Sequence, residues 1–154
     1  MADNRAIGIF DSGLGGLTVA REVMKLLPNE NIVYFGDTGR VPYGTRSKET
    51  IIKYSKNDVN FLLENDVKMI VIACGTVSST ALDVLKAEYN VSIVGVVEAT
   101  AEAAIKATQN GKIGIIGTPG TIKSGAYEKY ISEKIYYIFD CTKQNKFSNG
   151  GKIT

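Results

Sequence analysis

The stretch Lys68-Met-Ile-Val-Ile-Ala-Cys74-Gly-Thr-Val-Ser-Ser-Thr80 decides how the rest of the chain is read. Met69 to Ala73 runs apolar without a break. Its length and β-branched content suit a strand buried on both faces of a parallel sheet. A cysteine, a glycine and a threonine follow, and Ser78, Ser79 and Thr80 offer N-caps for a helix after them. Cys74 is thereby placed where a central strand ends and a helix begins, the edge at which open α/β sheets collect ligands. The free N–H groups of a helix start favour anions and thiolates. The competing reading of Cys74 is a small, apolar-like filler of the core.

Working outward, residues 6–10 read as a first strand, and Asp11-Ser-Gly-Leu-Gly-Gly16 as a glycine-rich turn. A helix follows with Leu17, Ala20, Val23, Met24 and Leu27 on one face, stopped by Pro28. Residues 31–35 form a second strand, and 36–46 a loop carrying Asp37, Thr38, Arg40, Pro42, Tyr43 and Gly44. Ser47 is placed to cap a long amphipathic helix reaching about residue 64. Beyond the Cys74 strand, the pattern predicts a helix over 79–89, a strand over 92–97 and a helix over 99–108. A strand over 112–116, a turn at 118–121, a helix to about 133 and a strand over 135–139 complete it. This alternation predicts an α/β fold, a doubly wound parallel sheet of flavodoxin-like type. Ile7-Gly-Ile-Phe-Asp-Ser is echoed by Ile113-Gly-Ile-Ile-Gly-Thr, which suggests two related lobes, although any two βα units share some likeness. The expected division is a first lobe over 1–96, an incomplete second lobe over 97–139 and a disordered polar tail over 140–154. On this reading the chain is cut short.

Bulk composition narrows the function. At 44% hydrophobic the chain can bury a core, and its 154 residues suit one folded unit. With 18 basic and 16 acidic residues it shows no basic block to hold nucleic acid. The amino-terminal residues lack a signal-peptide pattern, and no apolar run has membrane-spanning length. Two cysteines, Cys74 and Cys141, without a secretory signal point to a reduced, cytoplasmic setting. The absence of histidine excludes Ser-His-Asp and Cys-His catalysis and any histidine-ligated metal, and two distant cysteines do not make a zinc site. No metal site is therefore expected. Gly13 and Gly15 are followed by Thr18 where a dinucleotide fingerprint needs glycine, and no phosphate loop ending in Gly-Lys-Ser/Thr occurs. Acid–base work falls to Cys, Asp, Glu, Lys or Tyr.

The predicted strand ends carry small polar groups: Asp11-Ser12-Gly13, the loop from Asp37 to Gly44, Cys74-Gly75-Thr76, and the pair Thr118 and Thr121. Hydroxyls and backbone N–H groups at helix starts suit a carboxylate or a phosphate. Taken singly, Asp11 also fits a solvated turn and Tyr43 a packed loop aromatic.

Five segments resemble glutamate racemase. They are Gly8-Ile-Phe-Asp-Ser-Gly-Leu-Gly-Gly-Leu-Thr-Val19, Tyr34-Phe-Gly-Asp-Thr-Gly-Arg-Val-Pro-Tyr-Gly44, Ala73-Cys-Gly-Thr76, Gly95-Val-Val-Glu98 and Gly117-Thr-Pro-Gly-Thr-Ile-Lys-Ser-Gly-Ala-Tyr127. The resemblance implies a cofactor-independent enzyme of two α/β lobes that interconverts L- and D-glutamate for peptidoglycan. It implies cysteines on opposite sides of the substrate α-carbon, one taking the proton and the other returning one. By resemblance Cys74 is the first-lobe acid/base, and Asp11 assists it and engages the substrate amine. Ser12, Tyr43, Gly44, Gly75, Thr76, Thr118 and Thr121 occupy substrate-binding positions, and a homodimer is allowed.

Two departures qualify this. The family has Cys-Asn-Thr where this chain has Cys74-Gly75-Thr76, so an amide side chain is missing. The family's second cysteine sits in a Cys-Thr-His motif, which Cys141-Thr142-Lys143 matches in two letters and too early in the chain. A truncated racemase, inactive by itself, is the first reading. A one-cysteine superfamily enzyme of decarboxylase type, and a non-catalytic remnant that binds a small acid or a partner, are the alternatives.

Overall fold

Strand β3 (Val67–Ile72) lies inside a parallel sheet, as its unbroken apolar run requires. It pairs with β1 (Ala6–Asp11) on one side and β4 (Ser92–Gly95) on the other. Beyond β1 lies β2 (Ile32–Gly36), giving the order β2-β1-β3-β4. In this computed structural model, residues 3–132, 137–140 and 146–148 are described.

Alternation along the strands divides the core in two. Ile7 and Ile9 face α1 (Leu17–Leu26) and pack with Ala20 and the flanks of Met69 and Val71. Phe10, Ile70 and Ile72 face the opposite way, against α2 (Lys48–Glu64), α3 (Gly75–Thr80) and α4 (Leu82–Glu88). There Ile51, Val59, Leu62, Val77 and Leu85 close a core with almost no exposure. The Ser47 cap stands as the sequence predicts, its side chain accepting the Thr50 N–H. The predicted apolar stripe of α1 is buried only in part. Ala20 and Val23 touch the sheet, while Leu17, Met24 and Leu27 are exposed.

The helix after Cys74 begins earlier than expected. Cys74 itself is the N-cap of α3, so Ser78, Ser79 and Thr80 lie inside a helix rather than ahead of one. Their hydroxyls have other partners. Those of Ser79 and Thr80 donate to the Thr76 carbonyl, and Ser78 Oγ accepts the Val97 N–H. That last bond ties α3 to α5 (Val96–Ala107), which starts directly where β4 ends.

The later strands form a second sheet. In it β5 (Lys112–Ile115) pairs parallel with β6 (Tyr137–Asp140), and β7 (Lys146–Ser148) pairs antiparallel with β6. Asp140, which ends β6, and strand β7 therefore stand within the stretch expected as a disordered tail; the rest of that stretch, Cys141 included, lies outside the described residues. The single helix expected to about 133 is two: α6 (Pro119–Lys123) and α7 (Ala126–Ser132), broken at Gly125, whose φ of 67° favours glycine. Ala101, Ile115 and Ile131 make the small core under this sheet.

Candidate functional site

Cys74 and Ser12 meet because β1 and β3 are neighbours and end side by side. Cys74 is 5% exposed, and Ser12 Oγ lies 3.2 Å from its Sγ. A hydroxyl can donate to a thiolate or accept from a thiol, so the pair holds hydrogen bonding in either state of the sulfur. Asp11, the last residue of β1, is buried, and its Oδ2 accepts the Gly16 N–H at 2.9 Å. The local-turn role of Asp11 is therefore real, and one carboxylate oxygen is engaged by it.

Tyr34 belongs to this corner although the sequence reading passed over it. Its hydroxyl donates to the Gly13 carbonyl at 3.2 Å. Burial first, then the nearby Asp11 and Cys74, push the phenol above its ordinary range, so it stays a donor. In sequence it reads as one more aromatic of a strand; only the parallel pairing of β1 with β2 brings it beside the turn.

A second group assembles at the start of α3. Thr76 is 5% exposed, and its hydroxyl lies 2.9 Å from that of Thr118, which lies 3.0 Å from that of Thr121. Thr118 also caps α6, accepting the Thr121 N–H. Three hydroxyl hydrogens shared over two contacts leave one for another acceptor. Gly44 closes this group from the loop side. Its carbonyl accepts the Gly120 N–H at 3.0 Å, and a Cβ at position 44 would lie 2.4 Å from Thr118 Cβ. Only glycine permits that approach. At Gly75 the reverse holds: a Cβ there would meet nothing within 4 Å.

Tyr43 is 1% exposed, and its hydroxyl is committed to Asp37 and, at 3.1 Å, to Asp58. The ring is thus a packed loop aromatic, and what the residue can offer a ligand is its backbone. Asp11, Ser12 and Cys74 form one group and Gly44, Thr76, Thr118 and Thr121 the other. Cys74 and Thr76, at the start of one helix, join them. Among the described residues no group of three or more His, Cys, Asp or Glu is disposed to hold a metal ion. No helix is long and apolar enough to cross a membrane among them.

An open parallel sheet with a hydrogen-bonded thiol and a run of hydroxyls at its strand ends defines a thiol-centred site of an α/β protein. The chain belongs to the Asp/Glu/hydantoin racemase family, whose model matches residues 17–143. It is 52% identical over 127 residues to the glutamate racemase of Geobacter metallireducens, covering 82% of this chain and 47% of that one. To the glutamate racemase of Enterococcus faecalis it is 48% identical over 147 residues, 93% of this chain and 54% of the relative. Among solved structures, the Aquifex pyrophilus glutamate racemase superposes with a TM-score of 0.84 at 51% identity, over 87% of this chain and 53% of that one. The Francisella tularensis glutamate racemase in complex with D-glutamate superposes with a TM-score of 0.77 at 42% identity, over 86% and 50%. The chain spans about half the length of the relatives it matches.

Proposed function

We propose that this chain carries the first-lobe half of a glutamate racemase site, with residues 1–96 as that lobe and 97–139 as the opening part of a second. The observation that carries the reading is Cys74 at the strand-to-helix junction, with Ser12 on its sulfur and the Thr76–Thr118–Thr121 hydroxyls at the same helix start. Cys74 as thiolate takes the α-proton of glutamate. The Cα–H bond breaks, an S–H bond forms, and the electron pair passes into the α-carboxylate. Ser12 donates to the thiolate beforehand. Asp11 engages the substrate amine with its unengaged oxygen. Thr76, Thr118, Thr121 and the backbone N–H groups at Tyr43, Gly44 and Gly75 receive carboxylates, which eases carbanion formation. Inversion needs a second acid on the opposite face. Supply of D-glutamate for peptidoglycan, a cytoplasmic address and a homodimer belong to the same proposal.

The test is deuterium exchange at the glutamate α-carbon, read by NMR, beside optical rotation. The expected outcome for this chain is glutamate binding and exchange that Cys74→Ser abolishes, without measurable inversion. Inversion that depends on Cys74 would show a complete two-base site. Saturable glutamate binding without exchange would favour the non-catalytic alternative. Neither binding nor exchange would remove the proposal.

A further inference from the structure

Proton transfer at Cys74 makes no use of the most charged buried group among the described residues. Asp58, in the middle of α2, is fully buried, and Asp37 nearly so. Arg40 donates to Asp58 Oδ1 at 2.8 Å and pairs with Asp37, and its guanidinium lies 4.8 Å from the centre of the Tyr54 ring. Tyr43 lies between the two carboxyls, within hydrogen-bond reach of both. These are the titratable and charged groups that face Asp58: Asp37, Arg40 and Tyr43 from the loop, and Tyr54 from its own helix.

Proton counting decides what this geometry means. A phenol has one hydrogen, so it donates to one carboxylate only. Two ionised carboxylates facing one phenol oxygen would leave the second contact repulsive. The arrangement is satisfied when Tyr43 donates to Asp37, Arg40 neutralises Asp37, and Asp58 carries a hydrogen that it donates to the Tyr43 oxygen. Two buried carboxyls and one cation balance in charge when one carboxyl is protonated, and Asp58, the more deeply buried and the farther from Arg40, is the one given the hydrogen here.

We propose that Asp58 is a positioning residue for the site: through a hydrogen shared with Tyr43 it fixes the loop whose next residue, Gly44, binds Gly120 across the two sheets. Burial, and then Asp37, push the Asp58 carboxyl up to about 7, in agreement with the proton count. The loop then loosens as the pH rises past neutrality, when Asp58 ionises. Its consequence for substrate rests on the glutamate reading; its consequence for the loop does not.

The experiment compares wild type, Asp58→Asn and Asp58→Ala by amide hydrogen exchange at Gly120, corrected for the intrinsic effect of pH, with glutamate affinity measured in parallel. An asparagine amide can donate to Tyr43 and accept from Arg40, as a neutral acid does. Asp58→Asn is therefore expected to match wild type at pH 6 and to keep at pH 8 the protection that wild type loses. Asp58→Ala should exchange about tenfold faster, the effect of one lost hydrogen bond. An Asn variant as unprotected as the Ala variant, or a wild type indifferent to pH between 6 and 8, overturns the inference. Should the Ala variant not fold, the carbon-13 titration of the Asp58 carboxyl in wild type decides: a midpoint near 7 supports it and an ordinary carboxylate midpoint overturns it. Absent glutamate binding with the expected Gly120 behaviour would remove the racemase reading alone.

Discussion

The thiol corner and the Asp37–Arg40–Tyr43–Asp58 cluster lie at the same end of the sheet, yet they are built on opposite terms. In the cluster every charged or phenolic group meets an opposite charge or a donor. At the corner hydroxyls meet a thiol or one another, contacts that a ligand carboxylate can replace. Closed hydrogen bonding marks a scaffold, and exchangeable hydrogen bonding marks a site.

That contrast can be broken most directly by removing a member of each. Asp58→Ala leaves Arg40 and Tyr43 with Asp37 alone, removes two buried hydrogen bonds and should cost about 2–3 kcal/mol in denaturant unfolding. Cys74→Ser changes one atom beside a hydroxyl that still bonds it and should cost about 1 kcal/mol or less. Equal losses would mean that the corner is scaffold too.

The response to pH sharpens the same comparison. Asp58 has an ordinary value of 3.8 and is raised to about 7 in the fold by burial and Asp37. Between those values the folded chain keeps a proton that the unfolded chain has released. Unfolding free energy should therefore fall as the pH rises from about 4 to about 7. In Asp58→Asn this contribution should vanish from the profile. Asp37, Arg40, Tyr43 and Tyr54 are retained in that variant, so a slope that persists would have another origin.

Two glycines of the site carry the comparison down to an effect near zero. Gly44→Ala places a methyl 2.4 Å from Thr118 Cβ and should cost about 1–3 kcal/mol through the forced shift, with a loosened Gly44–Gly120 bond. Gly75→Asn enters open space and should leave the melting temperature nearly unchanged. One restored hydrogen bond, about 0.5–1.5 kcal/mol, or up to about 3 to a charged group, should tighten glutamate binding roughly two- to a hundredfold in calorimetry. Unchanged binding would remove Gly75 from the substrate positions.

Much of this was legible in the sequence because periodicity carries it. The unbroken run before Cys74 predicts an inner strand, and β3 is one. The Ser47 cap and the length of α2 follow from local chemistry. What sequence reasoning missed depends on pairing between distant segments. Asp58 reads as one polar residue of an amphipathic helix, and nothing local shows that its face turns inward against Arg40. Ser78 reads as an N-cap because hydroxyl residues favour caps, yet its oxygen is taken by Val97 from the following helix. Strand β7 was likewise hidden, since its three residues carry no period and pair only with a segment before them.

The bond from Gly120 to the Gly44 carbonyl has a consequence for synthesis on the ribosome. All four strands of the first sheet lie before residue 96, so that sheet can assemble while α6 is still within the translating machinery. At about 5–20 residues per second the wait is on the order of seconds. Once that sheet has formed, Cys74 can lie beside Ser12 before Gly120 reaches the Gly44 loop. The Gly44 carbonyl thus gains its Gly120 partner by timing as well as by sequence, after the sheet that carries Cys74.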